Sequence, residues 1–417
     1  MKVYLRTFGC RANHYDSEAV RAMIEAGGHD VVASPIDADM AVFNSCAVTS
    51  EAEAELRKVV RRVARERPRL RSVVMGCAAA LDMDRPRATR IASLPSVEHV
   101  VAGADLPAVG RALELAPQAT PAIARFQTGT RALLRIQDGC DEHCTFCATT
   151  LARGANRSRP ARDIVREATV LAERHPEIVI TGIHIGTYGT DIGSSLGALM
   201  QALVHDVPAV RFRLSSIEAT EIDQALFDLL VAAPDRLAPH VHAPLQSASD
   251  AVLKRMGRHW YTSASYARAI ERLVGSTSVL GLGADVISGF PGESERDHAA
   301  TVALIEQLPF TYLHVFPYSL RPGTAAERLS DHVQASVATR RAAELRTLAK
   351  CKSAEYRARR TGGLADVVVI GRGADREGVT GDYLTVGLAG STFEPGQRFE
   401  GRLEPSPDGR LQAILVE

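Results

Sequence analysis

Three cysteines in the middle of the chain have the spacing of an iron–sulfur site. Cys140, Cys144 and Cys147 form the pattern C-x3-C-x2-C, and the residue before the last cysteine is the aromatic Phe146. Three thiolates on one tight loop can hold three irons of a [4Fe-4S] cube, which leaves the fourth iron free to bind another ligand. The alternative is a structural zinc site, which needs a fourth Cys or His. His143 lies between two of the ligands and is poorly placed to close such a site.

Three further cysteines each follow a segment with the pattern of a β-strand. Cys10 follows a strand predicted at 2–8, Cys46 follows one at 40–44, and Cys77 follows one at 72–75. Helical patterns at 16–26 and 50–67 separate the strands, and this alternation predicts a parallel sheet. The strands of such a sheet end at one edge, so the three thiols can converge into a second three-cysteine site. The alternative is three unrelated buried cysteines, since free cysteine often behaves as a small hydrophobe.

The composition describes a globular protein with more than one domain. The 417 residues are 46% hydrophobic and 24% charged, and a chain of this length exceeds one ordinary core. No apolar run approaches the roughly 18–20 residues that span a bilayer, and the first residues predict a strand and not a signal peptide. We therefore expect a cytoplasmic protein without a membrane partner, in which seven cysteines favour metal or redox chemistry over disulfides.

Six further strand patterns alternate with helical stretches in the middle of the chain. The strands are predicted at 131–137, 178–181, 210–215, 241–245, 282–287 and 312–316. Six such units predict an open parallel barrel with its active residues at the carboxyl ends of the strands. A basic helical pattern follows at 339–360. Short alternating strands at 365–370, 383–388, 398–403 and 411–416 then predict a small β-barrel.

The motifs resemble those of a known family. The pattern C-x3-C-x-aromatic-C resembles the radical S-adenosylmethionine (SAM) superfamily. The runs TFGCRAN at 7–13 and NSCAVT at 44–49, with the Gly-Cys pair at 76–77, resemble the N-terminal domain of the methylthiotransferases. The chain departs from the usual family sequence at Ala80 and in the run ATT at 148–150, and neither departure replaces a cysteine. The resemblance covers essentially the whole chain.

The resemblance implies an α/β protein of three domains. These are an N-terminal parallel-sheet α/β domain at 1–120, a central open (β/α)6 partial TIM barrel at 126–355, and a C-terminal TRAM-like β-barrel at 360–417, with a linker near 115–127. The stretch 361–417 has five arginines and nine Asp/Glu, so its barrel is a poor general phosphate binder. It would contact RNA through Arg372 and Arg376, or mainly position the catalytic core.

The same resemblance implies SAM and two [4Fe-4S] clusters as cofactors. The ligand sets would be Cys140, Cys144 and Cys147 for the cluster that cleaves SAM, and Cys10, Cys46 and Cys77 for the auxiliary cluster that carries the methylated sulfur. The expected SAM contacts are Phe146, Gly182, Ser215, Ser216, Glu218 and Gly289. Arg153 would pair with the SAM carboxylate or a substrate phosphate, or be a plain surface arginine. A strand-end histidine such as His240 is more often structural.

Within the family, one branch fits best. The runs TGIH at 181–184 and HVFPYSLR at 314–321 resemble the members that modify threonylcarbamoyladenosine in tRNA. This implies a transferase that adds a methylthio group to C2 of N6-threonylcarbamoyladenosine next to the anticodon. Its partners would be the anticodon stem-loop, a reductant such as flavodoxin or ferredoxin, and a sulfur donor that the sequence does not specify. The alternatives are isopentenyladenosine tRNA, a ribosomal-protein aspartate, or a non-catalytic RNA-binding protein with structural metal.

Overall fold

The computed structural model describes the chain except residues 49, 83–85, 87–88, 117–126, 372, 374–375, 391, 408 and 417. Most of the predicted linker at 115–127, and Arg372, therefore lie outside the described residues. The chain divides into two compact units. The first comprises Met1–Thr128, Gln137–Glu142 and Cys147–Arg157, and the second comprises Gly129–Ile136, His143–Phe146 and Ser158–Glu417.

The first unit is built on a parallel sheet with helices on both faces. Its elements are β1 (Lys2–Thr7), α1 (Arg11–Ala26), β2 (Asp30–Val32), β3 (Met40–Ser45), α2 (Ser50–Glu66), β4 (Arg71–Gly76), α3 (Cys77–Ala80), β5 (Val97–Ala102) and α4 (Leu106–Ala112). Among the described residues the strand order is β2-β1-β3-β4-β5. The central strand β3 is buried along its whole length, because an apolar cluster covers each of its faces. The three predicted strands are confirmed.

The chain passes between the units around the C-x3-C-x2-C loop. The elements here are β6 (Ala132–Arg135), β7 (Gln137–Asp138), α5 (Thr149–Arg153) and β8 (Arg157–Ser158). Cys140 and Cys147 belong to the first unit, and Cys144 belongs to the second.

The second unit contains the predicted partial barrel. Its elements are α6 (Ala161–Ala172), β9 (Glu177–Thr181), α7 (Leu196–Asp206), β10 (Arg211–Leu214), α8 (Gln224–Ala232), β11 (His240–His242), α9 (Asp250–Arg255), α10 (Ser263–Gly275), β12 (Gly281–Ser288), α11 (Glu295–Gln307), β13 (Tyr312–Pro317) and α12 (Ala335–Arg360). Parallel ladders β6-β9-β10 and β11-β12-β13 meet at a bridge between Ser216 and His242. The fourth strand is shorter than predicted and ends at His242, two residues before Pro244.

A small β-barrel follows the long helix α12. Its strands are β14 (Leu364–Ile370), β15 (Glu377–Thr380), β16 (Thr385–Ala389), β17 (Arg398–Pro405) and β18 (Leu411–Leu415). In the described part of the chain they close in the order β14-β15-β16-β18-β17. The interior is apolar, with Val367, Phe399 and Leu403 among its residues. This confirms the predicted C-terminal barrel and adds β15 to it.

The C-terminal barrel covers the amino ends of the central strands. Arg213, at 0% side-chain exposure, donates to the carbonyls of Thr380 and Gly381 at 2.9 Å each. At the start of β12, a Cβ on Gly281 would lie 2.1 Å from the Asp382 carbonyl oxygen, so only glycine permits this approach. The barrel is therefore part of the same packed unit as the core.

No helix among the described residues is both long and apolar enough to cross a membrane.

Candidate iron–sulfur and cofactor site

The three N-terminal cysteines converge in the first unit, as the parallel sheet predicts. Cys10 precedes α1, Cys46 follows β3, and Cys77 begins α3. The Cys10 and Cys77 thiols donate to Asn13 Oδ1 at 3.9 and 3.8 Å. A Cβ on Gly9 would lie 2.4 Å from the Cys46 sulfur, so this glycine is required for the close approach. Three sulfur donors around one point fit a [4Fe-4S] cluster with one open iron.

Two asparagines that sequence reasoning missed hold this arrangement. The Asn13 amide donates to the carbonyls of Phe8 at 2.9 Å and Ser45 at 2.8 Å, which ties the ends of β1 and β3 together. Asn44 donates to the Asn13 carbonyl at 2.7 Å. Both asparagines are fully buried. Their position within three residues of a cysteine was the available signal, since a buried amide beside a ligand is a common way to orient it.

Arg153 lies against the same trio, so the plain surface role predicted for it is wrong, while its pairing with the SAM carboxylate or a substrate phosphate stays a prediction. Its side chain is 1% exposed, which excludes a plain surface role. The guanidinium donates to the Cys77 sulfur at 3.2 Å, to Asn13 Oδ1 at 2.7 Å and to Asp16 Oδ2 at 2.8 Å. Burial raises the pKa of the Cys77 thiol to about 11, and the Arg153 charge opposes that shift. Arg153 is therefore a positioning residue for the cysteine trio.

We expect Arg153→Met to destabilise the protein by roughly 3–5 kcal/mol, because it removes the cation that pairs with the buried Asp16 carboxylate. The measurement is the urea midpoint of the apoprotein. Arg157→Met is the control, since the Arg157 side chain is 60% exposed, and we expect a change within about 0.5 kcal/mol. Equal midpoints for the two variants would contradict the positioning role.

Cys140 and Cys147 have backbone N–H groups directed at their sulfurs. The Glu142 N–H donates to the Cys140 sulfur and the Thr149 N–H to the Cys147 sulfur, each at 3.4 Å. The backbone at Ala155 packs directly against the start of this loop, since a Cβ on Gly139 would lie 1.9 Å from the Ala155 carbonyl oxygen. Hydrogen bonds to sulfur stabilise thiolates and tune iron–sulfur clusters. Both thiols are partly exposed and so accessible to a cluster.

Cys144 and Phe146 are positioned by the connection between α9 and α10. The Thr145 N–H donates to the Met256 carbonyl at 2.8 Å, and Arg258 donates to the Cys144 sulfur at 3.5 Å. The Phe146 ring meets the Phe290 ring edge-on, with centroids 6.3 Å apart. Residues 143–146 are therefore held in a defined conformation next to the carboxyl ends of the barrel strands.

Glu218 has the free acceptor that a bound cofactor would use. One of its oxygens is paired with Arg258, which also donates to the Tyr261 hydroxyl at 3.0 Å. The other, Oε2, is buried and has no hydrogen-bond partner among the described residues. Burial raises the pKa of Glu218, although Arg258 opposes the shift. A buried orphan acceptor is costly until a donor fills it, so Glu218 fits a ribose hydroxyl or the amino group of SAM. Sequence reasoning missed Arg258.

The remaining predicted SAM contacts lie at strand ends, and one of them, Gly289, has another structural reason. Ser215 is buried and Ser216 is exposed beside it, while Gly182 is partly exposed after β9. Gly289 has a φ of 75°, and a Cβ there would lie 2.3 Å from the Cβ of Ala338. The close approach of α12 therefore already explains this glycine. The part of these four residues in SAM binding stays a prediction.

Comparison with known proteins identifies the family. A model described as "Uncharacterized protein family UPF0004" matches residues 2–100, and the model of the radical SAM superfamily matches residues 134–305. Threonylcarbamoyladenosine tRNA methylthiotransferase MtaB of Thermotoga maritima is 34% identical over 86% of this chain and 84% of its own length. The protein of that name from Bacillus subtilis is 34% identical over 85% of this chain and 81% of its own length. The tRNA-2-methylthio-N(6)-dimethylallyladenosine synthase of Sorangium cellulosum is 34% identical over 93% and 85%.

Solved structures agree on the fold. The radical SAM methyltransferase TsrM of Kitasatospora setae superposes with a TM-score of 0.53 at 15% identity, over 78% of this chain and 76% of that one. The cobalamin-dependent radical SAM enzyme OxsB superposes with a TM-score of 0.51 at 13% identity, over 78% of this chain and 54% of that one. These likenesses concern the fold alone. The chain belongs to the radical SAM methylthiotransferase family, whose members are transferases that use SAM and [4Fe-4S] clusters.

Proposed function

We propose that this protein adds a methylthio group to C2 of N6-threonylcarbamoyladenosine next to the anticodon of tRNA. The observation that carries the proposal is the pair of cysteine trios, one on the N-terminal sheet edge and one on the loop after β6. Similar proteins with the same two family regions bear the name of this activity. A tRNA substrate would place the reaction in the cytoplasm.

Each trio would hold one cluster. Cys140, Cys144 and Cys147 would hold the cluster that, with SAM, supplies the radical needed to break a C2–H bond that has no acidic proton. Cys10, Cys46 and Cys77 would hold the auxiliary cluster, to which the sulfur is delivered. Asn13 and Arg153 orient the auxiliary thiols. Glu218 and Phe146 would orient SAM through its polar groups and its adenine.

The RNA would be bound by the exposed part of the basic helix α12. This helix has eight Lys/Arg against two Asp/Glu at 339–360, but not all of them are available. Arg341 is buried against Glu293 at 2.7 Å, and Arg360 is buried against Asp382 at 2.8 Å. Exposed Lys350 and Arg359 remain for phosphates. The anticodon base would be splayed out of the loop, as enzymes that act on single bases require.

The decisive experiment presents three substrates to the reconstituted enzyme with SAM, sulfide and a reductant. They are an anticodon stem-loop with threonylcarbamoyladenosine, the same loop with isopentenyladenosine, and a ribosomal-protein peptide containing aspartate. We expect mass spectrometry to show hydrogen replaced by a methylthio group on the first RNA only. 5′-Deoxyadenosine and S-adenosylhomocysteine should form in equal amounts, because one SAM yields the radical and a second yields the methyl group. The proposal would be refuted if the isopentenyladenosine RNA or the peptide were modified and the threonylcarbamoyladenosine RNA were not.

The physiological reductant would be a small electron carrier such as flavodoxin or ferredoxin, since a cluster must be reduced before SAM is cleaved. Replacing the chemical reductant by either carrier and its reductase in the same assay tests this. Turnover at a rate that rises with carrier concentration supports the proposal, and no turnover with either carrier would refute it.

A further inference from the structure

A row of polar side chains crosses three neighbouring strands of the second unit and has no role in the proposals above. His242, Asp285 and His314 each present one ligand-type atom, and these atoms lie within 4.8 Å of one another. His242 Nε2 lies 3.0 Å from Asp285 Oδ1, and His314 Nδ1 lies 3.2 Å from the same oxygen. The row runs from β11 through β12 to β13 and brings two imidazoles to one carboxylate.

The row lies on the strand face that the surrounding helices leave uncovered. Along β12, Ala284 and Val286 belong to the hydrophobic core, and Asp285 between them points to the opposite face. Asp285 is paired in register with His314 on β13, where the core residue is Val315. In a partial barrel with helices outside, this opposite face lines the interior. The three polar side chains therefore line the barrel interior.

Toward the amino ends of the strands the interior is filled. The Tyr312 hydroxyl lies 3.0 Å from His242 Nδ1 and 2.8 Å from His240 Nε2. The ring of Tyr383, from the C-terminal barrel, lies 4.4 Å from the His240 ring. His242, Asp285 and His314 are thus the next layer above this filling. Their polar side chains therefore face the part of the barrel interior that lies toward the carboxyl ends of the strands.

Exposure rises along the row toward the edge strand β13. The side chain of His242 is 7% exposed, that of Asp285 27% and that of His314 56%. Two residues further along β13, Phe316 is 43% exposed, with its ring centroid 6.4 Å from that of His314. An exposed phenylalanine beside exposed polar groups offers a stacking surface and hydrogen-bonding atoms together. This combination suits a base that carries a polar substituent.

We propose that His242, Asp285, His314 and Phe316 form the site that recognises the threonylcarbamoyl group and its adenine. The proposal rests on the proposed function, because it takes its ligand from it. The threonylcarbamoyl group has a carboxylate, a hydroxyl and urea N–H groups. His314 gives its Nδ1–H to Asp285, so Nε2 of the neutral imidazole is an acceptor for the hydroxyl or a urea N–H. Asp285 can accept from the urea or hydroxyl groups, and Phe316 can stack on the base.

The charge state of Asp285 suits the N–H and O–H donors of the threonylcarbamoyl group. The two imidazoles lower the pKa of Asp285, so its carboxylate is ionised at neutral pH and acts as an acceptor. An isopentenyl group has no polar atom to satisfy these side chains. A site built from hydrogen-bonding groups discriminates strongly against a ligand that leaves them unpaired. The row therefore supplies a physical basis for choosing between the two modified adenosines.

The test compares binding, without turnover, of two anticodon stem-loops to the reconstituted enzyme in the absence of reductant. The RNAs share one sequence and carry threonylcarbamoyladenosine or plain adenosine. We expect the wild type to prefer the modified RNA by roughly 10- to 100-fold, and His314→Phe and the isosteric Asp285→Asn to reduce this preference to about 3-fold or less. Affinity for the plain RNA should not change. His205→Gln is the matched control, since the His205 side chain is 88% exposed on α7.

Each other outcome overturns the assignment in a recognisable way. Variants with full preference for the modified RNA would show that the row does not recognise the substituent. Variants that lose iron content or affinity for both RNAs would show a structural role. One zinc per chain, bound by the wild type from a zinc-only solution and lost in His314→Phe, would show a metal site instead. If the wild type modifies threonylcarbamoyladenosine but binds both RNAs equally well, the recognition site is refuted and the proposed function stands. If the wild type does not modify threonylcarbamoyladenosine at all, the proposed function is refuted.

Discussion

Replacing Cys140, Cys144 and Cys147 together by alanine will abolish reductive cleavage of SAM, a loss of at least about 1,000-fold, because the cluster that would bind SAM and pass it the electron loses all three of its ligands. The Cys10/Cys46/Cys77→Ala variant should behave differently. It should still form 5′-deoxyadenosine but transfer no methylthio group. The reason is the separation of the two trios in the sequence, so that either can be emptied while the other keeps all its ligands. Anaerobic assays of 5′-deoxyadenosine and of modified RNA measure the two activities separately.

Iron content provides the second readout of the same variants. A wild type with two three-cysteine cubes should bind about eight irons, and each triple variant about four. Cys351→Ala is the control, since Cys351 is exposed on α12, and it should keep the full iron content and both activities. About four irons in both the wild type and the N-terminal variant would show that Cys10, Cys46 and Cys77 hold no cluster. Intact SAM cleavage in the other triple variant would refute the assignment of the radical site.

The cysteine trios could be predicted because spacing and strand order alone place them. A tight loop fixes three thiols by sequence separation, and a parallel sheet brings strand ends to one edge whatever the details of packing. The predicted strands were found for the same reason, since periodicity records which face is buried. Two of the missed strands, β2 and β15, have only three and four residues, and segments this short carry too little periodic signal to be separated from loops. The missed strand β5 has six residues, but it lies at the edge of the sheet and only one of them is buried, so its sequence does not record a buried face.

Residues that act through tertiary partners were beyond the sequence. The burial of Arg153 could not be foreseen, because nothing local in the sequence shows that Asp16 lies beside it. Gly289 looked like space for a ligand, but the neighbour that demands it is Ala338, on another helix. The role of Arg258 could not be predicted, because it consists of hydrogen bonds to Glu218 and Cys144, which are distant in sequence. In each case the deciding contact joins segments whose approach only the fold determines.

A buried ion-pair cluster at the amino ends of the barrel strands leads to an expected effect on stability as large as that of Arg153→Met. Glu177, Arg211 and Arg213 all have 0% side-chain exposure. Glu177 accepts from Arg213 Nε at 2.9 Å and from Arg211 Nε at 2.7 Å. Arg211 has a second carboxylate, Asp366 at 2.8 Å, whereas the other partners of Arg213 among the described residues are uncharged, namely the carbonyls of Thr380 and Gly381 and the ring of Tyr383. Removing the Glu177 charge would therefore leave the buried Arg213 cation without a counter-charge.

We expect Glu177→Gln to lower the free energy of unfolding by roughly 3–5 kcal/mol, the usual cost of breaking a buried pair from one side. The urea midpoint measures the loss. Limited proteolysis should also cut the C-terminal barrel sooner, because Arg213 joins it to β10. Exposed Glu173→Gln, four residues earlier, is the control and should shift stability by no more than about 0.5 kcal/mol. A Glu177→Gln midpoint equal to that control would show that the cluster contributes no net stability.

The pH dependence of this loss has a definite sign. The arginines hold the pKa of Glu177 well below its ordinary value of 4.5. A carboxylate with a depressed folded-state pKa contributes stability that is fully present above the unfolded-state pKa and disappears as the pH falls through the folded-state value. The difference between wild type and Glu177→Gln should therefore be constant from about pH 8 to about pH 5 and shrink only in stronger acid. A difference that vanished near neutral pH would mean that Glu177 is already protonated there, and that the two arginines are balanced by other groups.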